Sequence, residues 1–94
     1  MSQEKLGDID ESLAGLRTMV ELQPDNPTAL NALGYLLTIH TDRLSEARTY
    51  IEKALALEPD NPAVLDSMGW VLFRQGDTEG ALDYLHKAYE IYPD

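Results

Sequence analysis

Several kinds of residue and segment are scarce or missing in this chain of 94 residues. It has no cysteine, which excludes disulfides, thiolate metal ligands and cysteine nucleophiles but leaves the redox compartment open. Only seven Lys and Arg stand against 17 Asp and Glu, and a net charge of −10 repels a phosphate backbone. Nucleic acid is therefore not an expected partner. No apolar run approaches the ~20 residues that cross a bilayer, so no membrane span is expected.

The beginning of the chain also lacks a targeting pattern. Residues 1–8 do not show the order of basic, apolar and small residues that is typical of a signal peptide. The sequence leaves the localisation open between the cytoplasm and the periplasm. A hydrophobic content of 44% with 26% charged residues is ordinary for a folded protein, although a chain this short can bury only a thin core.

What the sequence does contain is an internal repeat. Three similar segments end in prolines that lie 35 and 34 residues apart, namely Pro24, Pro59 and Pro93. Other residues recur at the same spacings, in the pairs Gly34 and Gly69, Ala47 and Ala81, and Ala54 and Ala88. The glycines are 35 residues apart and the alanines 34, so one residue is inserted in the first copy, in the turn around residues 39–44.

Each copy is predicted to form two helices, because apolar residues recur at steps of three and four and never alternate as in a strand. Asn26 and Asn61, each followed by proline, are typical of a helix start. Asp8, Asp42 and Asp77 are expected to cap the other helices, and Asp8 would form a capping box with Glu11. The helices are predicted over about 9–22, 27–40, 43–57, 62–75 and 78–92.

Two strings of residues resemble the tetratricopeptide repeat family. They are Leu30-x-x-Leu33-Gly34-x-x-Leu37 with Ala47-x-x-x-Ile51-x-x-Ala54 and Pro59, and Leu65-x-x-Met68-Gly69-x-x-Leu72 with Ala81-x-x-x-Leu85-x-x-Ala88 and Pro93. Glycine and alanine at the helix crossing would let two backbones approach closely. The chain departs from the family pattern at Leu30 and Leu65, where tryptophan is common, and in the aromatic residues that follow each glycine.

The resemblance implies an all-α solenoid of helical hairpins, in which A and B are the first and second helices of a repeat. Residues 1–26 would supply the second helix of a partial repeat, 27–61 a repeat with the one-residue turn insertion, and 62–94 a further repeat. The five antiparallel helices would follow the order B-A-B-A-B in a right-handed superhelical stack. In amino-acid sequence, residues 31–35 and 66–74 are similar to later repeats of bacterial members of the family. Some of these members are periplasmic outer-membrane lipoproteins that bring enzymes to the cell wall.

The resemblance also implies a function, that of a protein-interaction module or scaffold. In this family the A helices line a concave groove that holds a peptide or helix of a partner. The corresponding partner-binding positions are Thr28, Asn31, Tyr35, Thr38, Ile39, Ala63, Asp66, Trp70, Phe73 and Arg74. This groove is aromatic and nearly uncharged, and since only Asn31 and Arg74 suit a carboxylate clamp, no such clamp is expected.

The aromatic residues Tyr35 and Trp70 have two interpretations. Either they bridge neighbouring helices, or together with Phe73 they form an anchor patch for a partner. Other functions stay open as well: structural spacer repeats, a segment accessory to a remote catalytic domain, or a small homodimer that self-associates through uncapped terminal helices. Apolar first and last helices further suggest an excerpt of a larger bacterial protein with more repeats.

Catalysis is not expected from these residues. There is no Ser-His-Asp spacing, phosphate-binding loop or carboxylate pair in an apolar setting. His40 and His86 fall in different repeats, without a companion at three or four residues, so the sequence predicts neither a metal site nor a cofactor.

Overall fold

A computed structural model describes the backbone of residues 2–91 and the side chains of residues 9–90. In this part of the chain all regular structure is helical, without a strand. The helices are α1 (Ser2–Leu22), α2 (Pro27–His40), α3 (Leu44–Leu57), α4 (Pro62–Arg74) and α5 (Thr78–Ile91). The predicted all-α repeat fold with the helix order B-A-B-A-B is confirmed.

The first helix begins earlier than predicted, at Ser2 instead of near residue 9. Asp8 therefore lies inside the helix, and the predicted capping box of Asp8 with Glu11 is wrong. The residues that precede Gly7 are Gln, Glu, Lys and Leu, all strong helix formers, and a single glycine costs a helix only about 1 kcal/mol. The helix consequently continues through Gly7 instead of starting after it.

The two A helices begin as their sequences predict. The side-chain oxygen of Asn26 accepts hydrogen bonds from the backbone N–H groups of Thr28 at 3.0 Å and Ala29 at 3.2 Å. Asn61 accepts one from Ala63 at 2.9 Å. A proline follows each cap at the first helical position, where a missing N–H costs nothing. These bonds satisfy donors that a helix start would otherwise leave without partners.

The starts of α3 and α5 differ from each other. Asp77 Oδ1 accepts from the backbone N–H of Gly80 at 2.9 Å, as predicted. Asp42 was expected to do the same for α3, but that helix is preceded by Arg43 and has no side-chain cap. The turn before α3 consists of Thr41, Asp42 and Arg43, and in it Thr41 Oγ1 accepts from the N–H of Arg43 at 3.1 Å.

The two hairpin turns are equally long, with three residues between the helices (41–43 and 75–77), but they differ in conformation. Gly76 adopts a φ of 94°, a left-handed conformation that residues with a Cβ rarely take, and this allows the tight reversal between α4 and α5. The N–H of Asp77 then bonds the carbonyl of Leu72 at 2.9 Å. The turn between α2 and α3 contains no residue with positive φ, and the extra residue of the first copy lengthens α2, which has 14 residues against 13 in α4.

The helices pack as two hairpins, α2 with α3 and α4 with α5, and α4 also contacts α2 and α3. Helix α1 packs against α2. Among the described residues, no Cα atom of α3 lies within 8 Å of one in α1 or α5. Since the backbones of the A helices approach each other within this distance and those of the B helices do not, the stack curves with α2 and α4 on its inner side.

One core runs through all five helices. Its fully buried members include large aliphatic side chains of α2, α3 and α4, and α1 and α5 complete it. The buried cluster consists of Leu13, Leu30, Leu33, Leu37, Ala47, Ile51, Ala54, Val64, Met68, Val71, Leu72 and Ala81. The apolar stripes identified in the repeat therefore face one another.

Within each hairpin, the helices cross at glycine with no space for a side chain. A Cβ at Gly34 would lie 2.4 Å from Ile51 Cγ1 and 2.9 Å from the backbone oxygen of Ala47. A Cβ at Gly69 would lie 2.8 Å from Leu85 Cγ. Both contacts are shorter than packed atoms tolerate, so the close approach of the helices depends on glycine.

Gly34→Ala should lower the free energy of unfolding by about 1–3 kcal/mol, because overpacking outweighs the gain in helix propensity. Gly69→Ala should cost less, since its nearest neighbours belong to a leucine side chain that can shift. The control is Gly15→Ala on α1, where a Cβ would meet nothing within 4 Å; it should stabilise by about 0.5–1 kcal/mol. Urea unfolding followed by circular dichroism measures all three, and equal stability of the Gly34 and Gly15 variants would contradict the crossing.

Arg74, the last residue of α4, ties that helix to the end of α2. Its Nη1 donates to the backbone carbonyl of Thr38, and its Nη2 lies 3.4 Å from Asp42 Oδ1. Carbonyls in the last turn of a helix have no partner within the helix, and a cation is favourable there. The arginine thus links the two A helices at their carboxyl ends.

Arg74→Ala should lower the free energy of unfolding by about 1 kcal/mol, since the carbonyl of Thr38 loses a charged donor. Asp42→Ala should have no measurable effect, because the Asp42 side chain is fully exposed and surface ion pairs contribute little. The same urea unfolding measurement separates the two. If both variants lost the same stability, the ion pair and not the carbonyl bond would be the important contact.

Candidate functional site

The inner side of the stack, formed by α2 and α4, carries the residues predicted to bind a partner. We call the exposed and half-buried residues there the inner face: Thr28, Asn31, Tyr35 and Ile39 of α2, and Ala63, Asp66, Trp70, Phe73 and Arg74 of α4. Corresponding residues of the two repeats lie 35 positions apart. The face is therefore built twice from the same helix register.

The inner face exposes large apolar side chains. Phe73 is 53% exposed, and Tyr35, Ile39 and Trp70 are each 42% exposed. The rings of Trp70 and Phe73 meet edge to face, with centroids 6.0 Å apart and an interplanar angle of 89°. This arrangement is a favoured one for aromatic pairs, and it holds both rings at the surface.

The surroundings of Trp70 help to decide whether it bridges neighbouring helices or forms an anchor for a partner. Trp70 belongs neither to the buried core cluster nor to the partly buried residues that pack against that cluster. Its aromatic partner, Phe73, is on the same helix, and among the described rings Tyr35 and Trp70 form no aromatic pair. These observations favour a surface anchor over a bridge between helices.

Thr38 differs from the other predicted positions because its side chain is completely buried. Its hydroxyl donates to the backbone carbonyl of Gly34 at 2.8 Å, one turn earlier in the same helix. Thr38 thus faces the packed side of α2 and has no surface for a partner. The structure corrects its inclusion among the contact residues, whereas the neighbouring Ile39 is exposed.

The polar residues of the inner face differ in whether they already have partners within the chain. Arg74 is occupied by the carbonyl of Thr38 and by Asp42. Partial burial raises the pKa of the Asp66 carboxyl above its ordinary value. The side-chain oxygen of Asn31 is covered and has no hydrogen-bond partner. Asp66 is thus the carboxylate of this face, and it sits one helical turn before Trp70.

A cleft of about 450 Å³ lies beside Asp66, between α4 and α5. Its lining residues are Asn61, Pro62, Ala63, Asp66, Leu85, Ala88 and Tyr89. It was not predicted from the sequence that α5 lines a cleft beside the inner face. A comparison of corresponding positions in the two repeats could have indicated it. Tyr89 corresponds to Leu55, which is partly buried against the core, whereas Tyr89 is 70% exposed.

Other kinds of site are not supported by the described residues. Within residues 9–90, no group of three or more His, Cys, Asp and Glu side chains could hold a metal ion. Among the helices described, none is both long and apolar enough to cross a membrane.

Comparison with known proteins identifies the family of the chain. Residues 25–94 match the profile of the tetratricopeptide repeat family. Over all 94 residues the chain is 49% identical to TPR repeat-containing protein PA4667 of Pseudomonas aeruginosa, and it spans 16% of the length of that relative. With the match covering most of its length, the chain belongs to the tetratricopeptide repeat family.

Proposed function

We propose that the inner face binds a peptide or helix of a partner protein and that the chain acts as a scaffold module without catalysing a reaction. Tetratricopeptide repeats are generally protein-interaction modules, which supports binding as the class of function. The observation that carries the proposal is the exposure of Tyr35, Ile39, Trp70 and Phe73 on one side of two adjacent helices. Aromatic anchors of this kind often dominate the energy of an interface.

The exposed area also limits the strength of binding. Four half-exposed side chains of this size offer roughly 400 Å², which at about 25 cal/mol per Å² gives at most ~10 kcal/mol. Association itself costs about 4 kcal/mol or more. These side chains alone therefore support reversible binding with a Kd of roughly tens of micromolar, and further contacts would have to supply a higher affinity.

Peptides selected from a random dodecapeptide library for binding to the chain should contact the inner face. Phe73→Ala should weaken the tightest of these, here called the library peptide, by about tenfold or more, because an anchor ring is lost. The matched control is Leu82→Ala on α5, 52% exposed, which should change the Kd by less than about twofold. Isothermal titration calorimetry measures both, and Trp70 fluorescence reports binding to the unaltered chain.

Two results would contradict this proposal. Equal effects of Phe73→Ala and Leu82→Ala would place the binding surface elsewhere. Failure to select any binding peptide would favour the competing interpretation that these are structural spacer repeats. Circular dichroism of each variant shows whether the helices are retained.

A second candidate is self-association through α1 and α5. Leu22 at the end of α1 is 77% exposed and Tyr89 on α5 is 70% exposed, and the latter lines the cleft between α4 and α5. A second copy could cover these side chains, since exposed apolar surface favours association. This candidate does not use the inner face.

If self-association occurs, sedimentation equilibrium should show a mass above 10.5 kDa that rises with concentration. Tyr89→Ser should then return the chain to the monomer mass, whereas Phe73→Ser should not. A monomer mass at every concentration up to about 0.5 mM would reject this candidate. Any dimer would then have a dissociation constant above about 0.5 mM, which corresponds to an association free energy of less than about 4–5 kcal/mol.

A further inference from the structure

The inner face is mostly apolar, and its few charged side chains differ in whether an opposite charge lies beside them. Helix α2 contains no Asp, Glu, Lys or Arg, and α4 contains only Asp66 and Arg74. Arg74 is held by the carbonyl of Thr38 and by Asp42, so its positive charge is compensated. Among the described residues, no cation lies within 4.0 Å of Asp66. The uncompensated charge of this surface is therefore negative.

The other described cations do not change this balance. Arg17 pairs with Glu46 at 2.6 Å, and Arg48 pairs with Glu52 at 3.1 Å. The remaining ones, Arg43, Lys53 and Lys87, precede α3 or belong to α3 and α5, the outer helices. With a net charge of −10, the whole chain attracts a basic segment and repels an acidic one.

Asp66 and Trp70 are close enough to act on one ligand group. They lie four residues apart on α4, so their Cβ atoms are about 6 Å from each other on the same side of the helix. The face of a tryptophan ring attracts a cation, and the carboxylate adds a charge partner. The chain already contains one contact of this type, since Lys87 Nζ lies 5.5 Å from the ring centroid of Tyr84.

We infer that the partner segment places a Lys or Arg side chain against Asp66 and the Trp70 ring, flanked by apolar residues that contact Phe73 and Tyr35. This inference rests on the proposed function, because it specifies the chemistry of the ligand for the same face. Partial burial of the carboxyl supports it, since a cation would offset the unfavourable desolvation of the charged form. An acidic segment would find no free cation on the inner face.

The test is a double-mutant cycle between the library peptide and Asp66. The selected peptides should contain more Lys and Arg than Asp and Glu. In the unaltered chain, replacing the basic residue of the library peptide with Gln should raise the Kd about fivefold, and replacing it with Glu about tenfold or more. In the Asp66→Asn chain, the effect of the Gln replacement should fall to about twofold or less.

Asp83→Asn is the matched control, because it removes the same charge from an exposed position on α5. In the Asp83→Asn chain, the Gln replacement in the peptide should still raise the Kd about fivefold. If only the net charge of the chain mattered, Asp83→Asn would reduce this effect as much as Asp66→Asn does. The inference would be overturned if the Gln replacement had the same effect on the Kd in both variant chains. It would also be overturned if the selected peptides had no excess of basic residues.

The outcomes also separate this inference from the function on which it rests. If Phe73→Ala weakens the library peptide but Asp66→Asn does not couple to its basic residue, the inner face binds and only the inferred chemistry is wrong. If Phe73→Ala has no effect, both proposals are wrong. Circular dichroism of the Asp66→Asn chain verifies that the helices persist, as expected for an amide of the same shape.

Discussion

The close crossing of two helices at a glycine is the contact on which the rest of this structure depends. At Gly34 the approach of Ile51 and of the Ala47 backbone leaves no room for a Cβ, and the second hairpin repeats the crossing at Gly69. Close approach lets a short chain bury Leu30, Leu33 and Leu37 completely, although each helix is only 13 to 21 residues long. The crossing also fixes which side of each A helix is packed, and thereby which side stays at the surface.

The inner face follows from that division. Because the backbones of the A helices approach each other closely while those of the B helices do not, α2 and α4 lie on the inside of the curve and expose their remaining stripe there. Trp70 immediately follows the glycine of the second crossing, so the packing that buries Gly69 turns the tryptophan outward. Arg74 links the ends of the two helices and holds the face as one unit. The packed side of these helices provides the stability, and the opposite side is the surface proposed for binding.

The sequence predicts most of this fold because the decisive signals are local or periodic. Asn26 and Asn61 cap their helices through contacts two or three residues away, and the glycines recur with the period of the repeat. Two predictions failed where the surrounding residues outweighed a local motif. Asp8 was predicted to cap α1 but lies within it, because strong helix formers precede Gly7, and Asp42 was predicted to cap α3 but lies beside Arg74. For the site, the family resemblance identified the exposed aromatic residues, whereas the burial of Thr38 and the role of Arg74 depend on how α2 and α4 pack.

The central claim is that this chain holds its partner on the inner face of α2 and α4. Its most direct test is a titration of the ¹⁵N-labelled chain with the library peptide, followed by two-dimensional NMR. If the inner face holds the partner, the largest chemical-shift changes should occur at Tyr35, Asp66, Trp70 and Phe73, together with the indole N–H of Trp70, while α3 and the outer side of α5 change little. Largest changes at Leu22, Leu82 or Tyr89, with Trp70 unaffected, would contradict it.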